Sequence, residues 1–190
     1  MKNIKLTLLC FLFLNASCAQ KDNSIVSPSE KNYEIVNVYK DVDIPWSIEF
    51  LDENTIIYAE KKGEIYIVKN NNAVKVENVP EVYFRGQGGL LDLELHPDFK
   101  NNQVIYMSYA SGSREQGGGN TAVARAKLVD NTLTDVEVLY KGEENSTKGQ
   151  HFGSRLQFDK DGFLFFTIGD RGNRDQNPQN LELDGGKVYR

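Results

Sequence analysis

The chain has 190 residues, 39% of them apolar and 26% charged, which is the composition of a soluble globular protein with room for one domain and a sizeable core. Its formal net charge of −5 excludes the broad basic field that would attract nucleic acid or an anionic membrane surface. A mildly acidic surface suits a neutral substrate as well as no substrate at all.

Residues 1–19 read as a targeting segment. Lys2 and Lys5 make a basic start, and residues 6–14 are apolar apart from Thr7, a run too short to cross a bilayer as a helix. Ala16, Ser17, Cys18 and Ala19 then offer two cleavage sites. Cleavage before Cys18 gives a lipidated N-terminus of the bacterial lipoprotein kind, although Asn15 stands where an aliphatic residue is usual. Cleavage after Ala19 releases a soluble protein. A lone cysteine directly after the apolar run favours lipidation of Cys18. Either way the protein is exported, to the periplasm or as an outer-membrane lipoprotein, with no membrane contact beyond that anchor. Cys10 is removed with the signal, so neither a disulfide framework nor a thiolate metal site is available. Loss of Lys2 and Lys5 takes the mature charge from −5 to −7.

Residues 20–32, polar and centred on Ser27-Pro28-Ser29, read as a disordered tether. Ordered sequence is expected from Tyr33, whose run to Tyr39 is rich in β-branched and aromatic residues and reads as a first strand. A theme then repeats: a strand, a turn of Asp, Asn or Gly, and a more apolar strand. Ile48 to Phe50 leads into 56–59, residues 91–95 into 104–108, and Leu156 to Phe158 into 163–167. The second strands start at Ile56, Val104 and Phe163, 48 and 59 residues apart. Further strands are expected at 64–68, 74–76, 122–127 and 136–140. Asn70 to Asn72 and Asp130-Asn131 have the side chains that tolerate left-handed turns.

No segment carries the 3.6-residue period of a long helix. Short strands with a repeat near 50 residues make the chain all-β, and favour a β-propeller over a sandwich. About three blades fit into residues 33–190, fewer than the four that a closed propeller needs at minimum. The chain therefore reads as the N-terminal half of a propeller domain.

Three segments carry chemistry. The first is Gly86-Gln87-Gly88-Gly89-Leu90-Leu91-Asp92 with His96-Pro97-Asp98-Phe99. The second is His151-Phe152-Gly153-Ser154-Arg155-Leu156 with Thr167-Ile168-Gly169-Asp170-Arg171-Gly172. The third is Gly186-Lys187-Val188, with support from Ile44-Pro45-Trp46 and from Thr121 to Arg125. Together, from about Tyr33 to the end, they resemble the soluble glucose and aldose sugar dehydrogenases that use pyrroloquinoline quinone. The resemblance implies a six-bladed propeller in the complete protein, of which this is the first half. It also implies an aldose substrate, an external electron acceptor, and calcium bound with the quinone by residues of later blades.

The chain has only two histidines, so bases working near neutral pH are few. His151 follows a polar loop and precedes a strand, a position on the rim of a propeller's central opening. Taken alone it could equally be a surface histidine. The resemblance implies a general base that takes the proton of the anomeric hydroxyl while hydride passes to the quinone. Asp170 could be a turn aspartate beside glycine; the resemblance makes it the partner that orients His151. Gln87, among glycines that let a ligand approach, is implied to bind sugar and cofactor. His96, before Pro97-Asp98, reads as structural, and Arg155 as paired inside its blade. Gly117 to Gly119 reads as a flexible loop, since no helix or lysine follows as a phosphate loop requires. Residues 170–184 are acidic but fit no EF-hand spacing, so this chain offers no metal ligands of its own. Two rivals stand beside the dehydrogenase: a calcium-dependent propeller hydrolase of lactones or esters, and a non-enzymatic surface-displayed propeller that serves as a binding module.

Overall fold

Alternating apolar residues and tight polar turns fold the chain into three antiparallel sheets. The computed structural model describes residues 34–190; the expected signal peptide, Cys18 and the tether lie outside the described residues. The first sheet is β1 (Pro45–Asp52), β2 (Thr55–Glu60), β3 (Glu64–Lys69) and β4 (Asn72–Lys75), paired in chain order. The second is β5 (Leu90–Leu95), β6 (Val104–Ser113), β7 (Gly118–Val129) and β8 (Thr132–Lys141), again in order, with a short helix, α1 (Phe99–Asn102), between β5 and β6. The third is β9 (Gly153–Phe158), β10 (Leu164–Ile168) and β11 (Lys187–Tyr189).

Each sheet is an up-and-down meander. The first strands of successive sheets lie side by side, β1 against β5 and β5 against β9. That is the arrangement of propeller blades around an axis, with β1, β5 and β9 innermost. The all-β propeller expectation holds: two four-stranded blades are present, and a third with three strands. The hairpins take the expected turns, with Asn70 and Asn71 at φ 51° and 62° and Asp130 and Asn131 at 46° and 61°.

Two expectations fail. Residues 34–39 form no strand, and Ile35, Val36 and Val38 are exposed. Strand composition without a partner edge does not make a strand. Gly118 and Gly119 are not loop but the buried start of β7, opposite Ser113 and Gly112. Tyr83 packs where a Cβ on Gly119 would stand, so the lack of a side chain lets the ring close over the strand.

Apolar contacts fill the space between blades. Ile57, Ile65, Leu90, Leu93, Ile105, Met107 and Leu133 form the core shared by the first two blades. Tyr106, Val123, Leu156, Phe166 and Ile168 join the second to the third. Polar side chains then fix the blades against one another where no backbone ladder can. Ser47 Oγ on β1 accepts the Leu93 amide of β5 at 3.0 Å. From the second blade, Asp92 accepts the Leu156 amide at 2.7 Å, Ser108 Oγ donates to the Ser154 carbonyl at 2.6 Å and Thr121 Oγ1 to the Phe152 carbonyl at 2.7 Å. Arg155 is paired as expected, but with Asp92 of the neighbouring blade rather than within its own.

Candidate active site

One end of the innermost strands gathers the chemistry. Gln87 precedes β5, His151 precedes β9, and Asp170 follows β10, which runs antiparallel to β9. These three residues, 64 and 19 positions apart in sequence, meet through hydrogen bonds. His151 Nδ1 lies 2.7 Å from Asp170 Oδ1, and the His151 amide donates to Gln87 Oε1 at 2.7 Å. The Gln87 amide donates in turn to the Gly149 carbonyl at 2.7 Å. Gly86, at φ 59°, makes this crossing possible, because a Cβ there would collide with the Gly149 carbonyl.

The segment carrying the imidazole is held at every carbonyl. Lys148 O accepts from Arg171 Nη2, Gly149 O from Gln87 N, and Gln150 O from Arg171 Nη1. His151 O accepts the Arg171 amide, and Phe152 O accepts both Thr121 Oγ1 and the Gly169 amide. These bonds hold His151 at φ 55°, a left-handed conformation uncommon for a residue with a side chain. Beneath lies a small apolar cluster of Tyr83, Leu91, Ala110 and Phe152.

Asp170 is fixed too. Oδ1 also accepts the Gly172 amide at 2.7 Å, and its carbonyl accepts Asn177 Nδ2 at 2.9 Å. The hydrogen bond from His151 holds the Asp170 carboxyl below the usual carboxylate range, so it is ionised at neutral pH. A carboxylate at Nδ1 sets the tautomer: the neutral ring carries its proton on Nδ1 and keeps the Nε2 lone pair free. The His151 side chain is 48% exposed, against 20% for Asp170, so the imidazole is accessible while its partner is screened.

The ring opens onto a polar cleft with Gln150, Asp170, Gly172, Asn173, Arg174 and Asp175 around it. Amide and guanidinium groups there offer hydrogen-bond donors to an oxygen-rich ligand. Among the described residues no group of three or more His, Cys, Asp or Glu side chains gathers in one place.

His96 lies away from the cleft. Its Nδ1 accepts the Asp98 amide at 2.9 Å and its ring lies near Tyr106 and Phe158, which is the structural arrangement expected of it. Arg171 and Phe152, by contrast, belong to the site and were not singled out from sequence. The available signal was an arginine directly after Asp170 in a glycine-flanked turn; its burial, at 4% exposure, is not readable there.

The sequence and fold have counterparts among known proteins. Residues 42–190 match the family described as Glucose / Sorbosone dehydrogenase. The chain is 32% identical over 169 residues to aldose sugar dehydrogenase YliI of Escherichia coli (strain K12), covering 86% of this chain and 44% of that protein. It is 29% identical over 153 residues to quinoprotein glucose dehydrogenase B of Acinetobacter calcoaceticus, covering 75% of this chain and 32% of that one. The solved soluble aldose sugar dehydrogenase of Escherichia coli, in the apo-form, superposes with a TM-score of 0.71 at 33% identity, over 77% of this chain and 43% of that chain. The PQQ-bound form of aldose sugar dehydrogenase from Streptomyces coelicolor shares the fold, with a TM-score of 0.72 at 22% identity over 82% of this chain and 46% of that chain. The chain thus spans less than half the length of the curated relatives it matches.

Proposed function

The chain belongs to the glucose/sorbosone dehydrogenase family, and on that premise we propose that the whole protein is a quinoprotein that oxidises the anomeric hydroxyl of aldose sugars to lactones, with His151 as general base. The observation that carries the reading is the His151–Asp170 pair, 2.7 Å apart at the mouth of a polar cleft. Pyrroloquinoline quinone, when bound, supplies the acceptor for the hydride leaving the anomeric carbon. The residues of this chain handle the proton. His151 Nε2 takes it from the hydroxyl as the carbonyl forms, and the ionised Asp170 stabilises the resulting imidazolium. Gln87 serves this step through its Oε1, which fixes the His151 amide and so the height of the ring above the cleft. Arg174 and Asn173 line the same cleft and carry donors for sugar or cofactor oxygens. Calcium and the rest of the cofactor's binding groups are assigned to later blades of a six-bladed propeller, and an external acceptor removes the electrons.

The rival readings gain no support. A binding module gives no reason to aim a histidine with a carboxylate-fixed tautomer into a cleft, and no geometry among the described residues favours a lactone hydrolase. The test uses the full-length protein reconstituted with calcium and pyrroloquinoline quinone. Aldose oxidation with an artificial acceptor should require the added quinone. Quinone-independent hydrolysis of lactones, with no aldose oxidation, would contradict the proposal.

The same reading places the protein outside the cytoplasm with a lipid on Cys18, supported by the lone cysteine after the apolar run. Labelled fatty acid should mark the wild type and not Cys18→Ser. Equal labelling of both, or of neither, would contradict lipidation.

A further inference from the structure

Arg171 is a charged side chain inside the molecule with no carboxylate among its hydrogen-bond partners. It is 4% exposed, and burial pushes its guanidinium down to about 10, still charged at neutral pH. Its Nη1 donates to the Gln150 carbonyl, and its Nη2 donates to the carbonyls of Lys148 at 2.9 Å and Gly119 at 3.0 Å. The guanidinium plane covers the Phe152 ring, 3.5 Å from its centroid. Its backbone amide reaches the His151 carbonyl at 3.3 Å.

Burying a charge whose nearby carboxylate, Asp170, offsets burial only in part is costly, and an apolar side chain would fill this space without that penalty. Stability of the blade alone is therefore a poor reason for an arginine. What the charge provides is a rigid planar fork that neither lysine nor a neutral amide can copy, reaching the carbonyls on both sides of one peptide unit and an anchor on β7. The residue so gripped is followed by His151 in its left-handed conformation, flanked by Gly149 and Gly153, which leave the segment little stiffness of its own.

We propose that Arg171 is a positioning residue for the base: through the Lys148 and Gln150 carbonyls and the Phe152 ring it holds the His151 turn so that Nδ1 meets Asp170 and Nε2 faces the cleft. The inference rests on the dehydrogenase reading for its kinetic consequence, and on geometry alone for its effect on the imidazole.

The two parts can be tested separately in the full-length protein. Long-range 1H–15N spectra report the His151 tautomer, with signals assigned by their loss in His151→Ala. The wild type should show the Nδ1-protonated form, and Arg171→Lys a mixture of tautomers. With the cofactor bound, Arg171→Lys should lower kcat for aldose oxidation about 10- to 100-fold, with the sugar KM nearly unchanged. In Arg171→Ala, added ethylguanidinium should restore at least part of the tautomer balance and of kcat, whereas ethylammonium should restore neither. If Arg171→Lys fails to fold, Phe152→Leu reads the same coupling, since it removes the stack and leaves the fork. A shift in its tautomer balance supports the proposal, and the wild-type balance overturns it. A folded Arg171→Lys with wild-type tautomer also overturns it, whatever its turnover. A wild type that oxidises no aldose, but whose His151 tautomer depends on Arg171, sinks the dehydrogenase reading and leaves the positioning role standing.

Discussion

At the scale of single residues, the site works by spending backbone and side-chain groups on one imidazole. Five consecutive carbonyls, from Lys148 to Phe152, each accept a hydrogen bond, and Asp170 is itself held by the Gly172 amide. On the proposed function, the carboxylate fixes the tautomer and favours the charged ring after proton uptake. Asp170→Asn keeps the shape and, because the same oxygen also accepts the Gly172 amide, keeps an acceptor at Nδ1, but it removes the negative charge that would favour the imidazolium after proton uptake. We expect kcat for aldose oxidation to fall by about 10²-fold, with little change in sugar KM or thermal midpoint. Unchanged kcat in Asp170→Asn would show that the pairing does not serve the reaction. His151, Asp170 and Gln87 were legible in the sequence through the family resemblance of their glycine-bearing motifs, since each taken alone reads equally as a surface or turn residue. Arg171 was not, although it stands beside Asp170, because its partners Gly119 and Lys148 lie 52 and 23 residues away and only the fold brings them together.

At the scale of elements, the strands followed from local pattern and the joints between blades did not. Alternation and Asn or Asp turns marked the two strands flanking each hairpin, and the observed β1–β2, β5–β6 and β9–β10 pairs follow that reading. Residues 34–39 misled because strand propensity is realised only against a partner edge. The seams between blades depend on side chains such as Ser47, Asp92 and Thr121, whose partners lie 31 to 64 residues off in sequence. One seam has a pH signature. Glu49 of β1 faces Glu94 and Asp92 of β5, with Arg155 of β9 as the nearby cation. Burial first, and then the two neighbouring carboxylates, push the Glu49 carboxyl up to about 7, from an ordinary 4.5. Between those values the folded state retains a proton that the unfolded chain has lost, so this group makes stability fall as pH rises from about 4.5 to about 7, with no further loss above. Glu49→Gln removes that loss. The unfolding free energy of the variant should match the wild type near pH 4.5 and exceed it at pH 8, by on the order of 1 kcal/mol after allowance for partial exposure. A variant less stable than wild type at pH 8 would show that the Glu49 charge supports the seam.

At the scale of the whole molecule, the 190 residues carry two four-stranded blades and a three-stranded third, with apolar faces that no described residue covers. Ile48 and Phe50 on β1 are 53% and 67% exposed, and Val188 on β11 is 70% exposed. Such faces bind one another in water. These residues expressed without further sequence should therefore self-associate, with a sedimentation coefficient that rises with concentration; a concentration-independent monomer would contradict that expectation. His151, Asp170 and Gln87 all lie within the blades that are present, whereas the proposed cofactor-holding groups belong to later blades. The central claim is that His151 is the proton acceptor for sugar oxidation, and the most direct measurement is steady-state aldose oxidation by full-length His151→Ala, alongside quinone titration. Turnover should fall by about 10²–10⁴-fold while quinone affinity stays near that of the wild type. Wild-type turnover in His151→Ala with quinone bound would contradict the account.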